Sequence, residues 1–392
     1  MLRVLKFFGF FLMLLGIIFV LVVYPNRDAF MVVFDNGDAL AEGSDWAMKA
    51  KSIKGITEFI HENPNYVSYM STSETDTLSL NVSEPRTMGM LSSVILIHSL
   101  LLQNSADIES YLNAEISLDS LDRFQLPKVY ETSHENALAR LEKEELISGN
   151  NTISTKQAFK SMLVSNDIGI HDYFYAKLNL DSLKNLYSAS GFTKTDLIQP
   201  YIGIYASINP SFMKTDYEQL YQKTIGLTKD EISAQRLTIY TDYQQKPAFR
   251  QQLRNLTEEV GKGLKFDEER NFSFSLPQTT ASEMHQYLST LIKAADNSIE
   301  AKVFDIILEA NQNIYRERIF DQYAGVFDNR IGLQNGMDWG IAKEGGERIQ
   351  VVFFDELPVG FWFHLSSDLI IQDIQQRMIW DKELRTLLPN NN

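Results

Sequence analysis

The chain has 392 residues, 44% hydrophobic and 22% charged, a composition that fills one large domain or two ordinary ones and excludes a disordered protein. It holds no cysteine, which removes disulfides, thiolate nucleophiles and cysteine metal sites together. The formal net charge is −15 and no lysine- or arginine-rich run interrupts it, so no nucleic-acid-binding face is expected.

In chain order, the first element is Phe7–Tyr24, 18 residues without a charge. As a helix this run spans about 27 Å, just enough for a hydrocarbon core. Arg3 and Lys6 precede it, which by the positive-inside bias keeps the N-terminus cytoplasmic. A cleaved signal peptide is the alternative. Its apolar region is usually shorter, and "VLVVYPNRD" lacks a small-x-small cleavage pattern. The expectation is therefore a cytoplasmic tail (1–6), an uncleaved single-pass anchor in the cytoplasmic (inner) membrane (7–24), a linker (25–45) and a domain outside the cytoplasm (46–388).

Ile53, Ile56, Phe59 and Ile60 predict a helix over Trp46–Asn63, stopped by "NPNY". "YVSYMST" and "DTLSLNV" follow as a hairpin around polar "SETD". From Thr87 to about Lys293 the pattern is helical. "STKQAFKSMLV" starts on capping residues Ser154 and Thr155, "SLKNLYSASGF" ends at Gly191, and "TTASEMHQYL" starts on a Thr/Ser cap. Residues 214–265 are polar and read as a surface insertion. Four β-rich runs then follow, "YAGVFDNRIGL", "GMDWGIAK", "RIQVVFFDEL" and "VGFWFHL", before an amphipathic helix in "SSDLIIQDIQQRMIW". Strands at both ends of a helical block predict an α+β fold. Its antiparallel sheet is assembled from both chain ends, with flanking helices and an inserted all-helical lobe at about 87–293.

The six histidines (His61, His98, His134, His171, His285, His364) never fall in HxxxH or HExxH spacing, so no metal site is visible. Neither GxxxxGK[ST] nor GxGxxG occurs, and no cofactor is expected. Ser92 and Ser93 share an apolar helix with His98, but five or six residues rotate these groups roughly 120–140° apart. Small residues easing helix packing explain the serines better than nucleophilic catalysis does.

This organisation resembles the class A β-lactamase and penicillin-binding-protein family of serine hydrolases over about residues 49–380. In the family, a proline and then Ser-x-x-Lys open the helix after the hairpin. Here Pro85 is followed by "RTMGMLSSVIL", which puts Thr87 at the serine and Met90 at the lysine. The family's Ser-Asp-Asn, on a loop between helices, corresponds to Ser165, Asn166 and Asp167. Its Lys-Thr-Gly falls on Arg330, Ile331 and Gly332. No Glu-x-x-Leu-Asn, the family's usual deacylation glutamate motif, can be placed. The resemblance implies a β-lactamase-like serine hydrolase fold in the cell envelope or periplasm with degenerate catalytic positions Thr87, Met90, Ser165 and Asp167.

Threonine is a poorer, β-branched nucleophile, and methionine has no proton acceptor to activate it. Ser165, Arg330 and Gly332 remain as ligand-binding candidates, the guanidinium suiting a carboxylate. The leading expectation is a pseudoenzyme that binds a carboxylate-bearing ligand or an envelope protein through the former cleft. An active β-lactamase or D-Ala-D-Ala peptidase with a non-standard nucleophile, Ser165 or Ser92, is the alternative. A purely structural envelope protein is the third.

Overall fold

The computed structural model describes residues 34–390 except 74–75, 316–322, 329–335, 343–347 and several positions between 368 and 380. The expected tail and anchor therefore lie outside the described residues, as do Arg330–Gly332 and most of the helix expected in 366–380. No described helix is long and apolar enough to cross a membrane.

In chain order the strands are β1 (Val67–Thr72), β2 (Thr77–Leu80), β3 (Arg86–Thr87), β4 (Glu115–Ser117), β5 (Thr152–Ser154), β6 (Gln278–Thr279), β7 (Tyr323–Asp328), β8 (Gly336–Ala342) and β9 (Arg348–Phe354). Five of them form one sheet in the order β2-β1-β9-β8-β7, every neighbour antiparallel. Tyr69 faces Leu80 on one side and Val352 on the other, so the sheet joins the two ends of the chain as the sequence pattern predicts.

Alternation along β1 and β9 splits the side chains between two cores, since successive strand residues point to opposite faces. Val67, Tyr69, Val352 and Phe354 join Ile56, Phe59, Phe361 and Leu384 in the core formed by the terminal helices. Met70, Ile349, Val351 and Phe353 face the helical region, where the Leu91–Gln103 and Ala281–Ile292 helices supply Ile97, Leu100, Met284 and Leu288. Leu91–Gln103 is buried on all sides, as a core helix must be when it is apolar all round. The helical region thus shares its core with the sheet rather than standing as a separate lobe. It also contains two short ribbons, β3–β6 and β4–β5.

Three local expectations are corrected. Trp46–Asn63 is two helices, Ser44–Lys49 and Ile53–Glu62, the second capped where the Ser52 side chain accepts from the Gly55 N–H at 3.3 Å. "VGFWFHL" belongs to a helix, Val359–Ser367, not a strand, because a short apolar run has no period that separates the two. Gly360 lets this helix approach the Gly37–Ala41 helix: a Cβ there would lie 2.1 Å from the Leu40 carbonyl oxygen. Residues 214–265 are only in part a surface stretch. Within them the Lys229–Gln245 helix buries Ile232, Arg236, Ile239, Tyr240 and Tyr243.

Candidate functional site

Thr87 ends the short strand β3, which pairs with β6 in the register Thr87↔Gln278. The chain then turns through Gly89, at φ 56, and starts the Leu91–Gln103 helix with Met90 as N-cap. A positive φ costs glycine nothing, which is what so tight a turn requires. Thr87 is 4% exposed, and its hydroxyl has no hydrogen-bond partner among the described residues. Met90 is buried, and its sulfur accepts from Ser93 Oγ at 3.8 Å. No proton acceptor therefore stands at the family's lysine position.

Thr87 borders a cavity of about 20 Å³ walled also by Gly89, Ser92, Gln199, Tyr201 and Leu276. That volume suits about one water molecule and no organic substrate. Tyr201 closes it. Its hydroxyl lies 3.0 Å from Ser92 Oγ and 3.2 Å from the Gly89 carbonyl oxygen, and its ring meets His171 edge-on at 4.8 Å. Asp172, fully buried, fixes the start of the Tyr201–Ser207 helix by accepting from the Tyr201 and Ile202 N–H groups at 2.8 and 2.7 Å.

Ser165 ends the Thr155–Ser165 helix, Asn166 takes a left-handed conformation at φ 51, and Asp167 caps the Ile168–Tyr175 helix by accepting from the Ile170 N–H. The expected loop between helices is present, but its carboxylate is already engaged. Asp167 Oδ2 lies 2.7 Å from His134 Nδ1, and His134 Nε2 lies 2.8 Å from Asp122. Burial alone would lower the imidazole's pKa; the hydrogen bonds and charges of Asp167 and Asp122 outweigh it and push it up to about 9. Neither Ser165 nor Asp167 walls the cavity at Thr87.

Arg86, one residue before Thr87, is a participant the sequence reading missed. Its Nε donates to Ser68 Oγ at 2.8 Å, its Nη2 to the Asn65 carbonyl at 2.7 Å, and its Nη1 lies 4.0 Å from Asp355. Burial raises the Asp355 carboxyl to about 6 even against the Arg86 charge. This pair fastens β3 to β1 and to the end of β9, which fixes the Thr87 backbone. The signal in sequence was faint, an arginine between Pro85 and Thr87 just before a helix apolar enough to be buried.

Two family-like strings also occur out of order. Ser211-Phe212-Met213-Lys214 has the Ser-x-x-Lys spacing and follows Pro210, but it sits on the single-turn helix Pro210–Met213 with both Ser211 and Lys214 exposed. Lys214 is left-handed at φ 56, which leaves the helical geometry that would stack it over the serine. Glu109-Ser110-Tyr111-Leu112-Asn113 has the Glu-x-x-Leu-Asn spacing, yet Glu109 is largely exposed and pairs with Lys302 at 2.5 Å. Neither string reaches the Thr87 cavity.

No protein-family model and no curated protein sequence matches the chain. Solved structures to which it is similar include a β-lactamase from Sphaerobacter thermophilus DSM 20745, 10% identical, covering 81% of this chain and 98% of that one at a TM-score of 0.46. TLA-3 extended-spectrum β-lactamase is 11% identical over 86% of this chain and 96% of its own, TM-score 0.46. An ancestral class A β-lactamase is 10% identical over 82% and 100%, TM-score 0.44.

Proposed function

We propose that this is a membrane-anchored, extracytoplasmic protein of β-lactamase-like fold that has no hydrolase activity and works by binding. One observation carries the reading: Thr87 is buried beside a cavity for about one water, with Met90 where a base is needed. An unactivated hydroxyl stays protonated near neutral pH and does not attack. Losing a nucleophile–base unit costs a serine hydrolase on the order of a million-fold in turnover. A carboxylate-bearing ligand or an envelope partner is the expected occupant, with the Arg330 guanidinium as the candidate planar fork for a carboxylate. The Phe7–Tyr24 run would hold the domain at the outer side of the cytoplasmic membrane. Reporter fusions after Asp45 that work only in the cytoplasm would overturn that placement.

A second reading rests on Ser92, whose Oγ lies within hydrogen-bond reach, 3.0 Å, of the Tyr201 hydroxyl. Incubating the full chain with a fluorescent penicillin and a chromogenic cephalosporin separates the two. The expected result is no hydrolysis and no adduct by intact mass. An adduct lost in Ser92→Ala establishes the second reading. One lost in Thr87→Ala, Ser165→Ala or Ser211→Ala also ends the pseudoenzyme proposal.

A further inference from the structure

A groove of about 690 Å³ opens where the Tyr217–Ile225 helix, the start of β1 and the segment after β9 meet. It shares no wall with the cavity at Thr87. Its volume is in the range that takes small organic ligands. Tyr66, Tyr221 and Phe274 supply aromatic surface, with the last two rings edge-to-face at 6.1 Å. Ile225 stands on its wall 50% exposed, an apolar side chain left in water.

The charged groups of this groove are not equally engaged. Glu42 accepts from Arg270 Nη1 at 2.6 Å and from the Val359 N–H at 3.4 Å, while Glu356 accepts from Ser273 Oγ at 2.6 Å. Lys229 donates to Asp196 at 2.7 Å and to Gln278 at 3.0 Å. Arg270 differs. Both of its hydrogen bonds, to Glu42 and to the Leu357 carbonyl at 3.3 Å, leave from Nη1. Nε and Nη2 have no partner among the described residues, and the side chain is 18% exposed. These two nitrogens form the edge of a guanidinium that takes a carboxylate through two parallel bonds. One guanidinium can therefore bridge Glu42 and a second carboxylate.

We propose that this groove binds a small apolar carboxylate, its ring or alkyl body against Tyr66, Tyr221, Phe274 and Ile225 and its carboxylate on Arg270. The site is independent of any chemistry at Thr87, so the β-lactam assay above neither supports nor weakens it.

The test uses the full chain in lipid nanodiscs, titrated calorimetrically with 2-naphthoate and with uncharged 2-naphthamide, empty nanodiscs being subtracted. Naphthoate is expected to bind at least about ten-fold tighter than the amide, the discrimination that charge-assisted hydrogen bonds supply. Ile225→Trp, a change at a half-exposed position that narrows the apolar wall of the groove, should alter the affinity for both. Arg270→Lys keeps the charge but removes the fork, so the acid-to-amide ratio should fall toward one. Equal binding of acid and amide to the unmodified protein overturns the proposal, as does binding of neither. Unchanged naphthoate affinity in Ile225→Trp also overturns it, and that variant decides the matter if Arg270→Lys fails to fold.

Discussion

His134 lies between Asp167, which is out of water, and Asp122, whose side chain is half exposed. The folded protein holds this imidazole's pKa near 9, above its ordinary 6.5. A raised folded pKa stabilises fully below about pH 6.5, and the contribution is lost as pH rises through 9. The shift corresponds to roughly 3 kcal/mol at most, and less in practice because water screens the Asp122 half of the pair. Denaturation midpoints should therefore fall between pH 6 and pH 9.5, and His134→Gln should flatten that slope. Identical pH profiles for the two proteins would refute the assignment. The same residues show why the site was only half legible in sequence. Thr87 and Met90 are read directly from their place after Pro85, because the absence of a base is a property of residue type. That Asp167 answers to His134, 33 positions earlier, is a property of packing, and so is the partnership of Arg86 with Asp355. No local spacing announces either pair.

Helix caps were the most legible elements, since a cap is local chemistry. Ser154 accepts from the Gln157 N–H at 3.2 Å within a complete capping box, and Thr280 accepts from the Glu283 N–H at 3.2 Å. Polarity misled over 214–265, because Arg236 is fully buried on hydrogen bonds from its guanidinium to Ser207, Gln199 and Ser275 rather than on a carboxylate. Burial lowers its pKa to about 9. A buried charge satisfied by neutral groups reads as a surface residue in sequence. The Lys229–Gln245 helix comes this close to the Tyr201–Ser207 helix only because Gly203 lies between them: a Cβ there would sit 2.5 Å from the Arg236 carbonyl oxygen. Gly203→Val should force the pair apart, cost about 1–3 kcal/mol or more, and loosen Tyr201 over Ser92. Thermal denaturation checks the first effect. A Gly203→Val melting point equal to that of the unmodified chain would show that the two helices are not held at this distance.

At the scale of the whole molecule, β9 belongs to both cores, with Val351 and Phe353 on one face and Val352 and Phe354 on the other. Damage to either face therefore reaches the other, and the described domain should unfold in one cooperative transition. Its C-terminal segment closes the outer face. Leu384 and Leu388 are buried there, the Tyr69 hydroxyl donates to the Pro389 carbonyl, and His61 Nε2 lies 2.7 Å from the Leu387 carbonyl oxygen. Arg385 reaches Ser71 Oγ at 2.9 Å and Asp76 at 2.6 Å. Asn390 accepts from the Ser79 N–H at 3.0 Å and donates to the Thr77 carbonyl at 3.3 Å, so it covers the free edge of β2. Ending the chain at Trp380 removes two buried leucines, each worth about 1.5–3 kcal/mol, and several hydrogen bonds of about 1 kcal/mol. The sum is comparable with the whole stability of a typical domain, about 5–15 kcal/mol. The truncated chain should therefore accumulate as insoluble or protease-sensitive material. Leu384→Ala, a milder lesion, should lose about 2–5 kcal/mol in urea denaturation while keeping a single transition. A truncated protein with an unchanged midpoint would mean that this segment decorates the sheet instead of holding it, and two separate transitions in Leu384→Ala would mean that β9 does not couple the two cores.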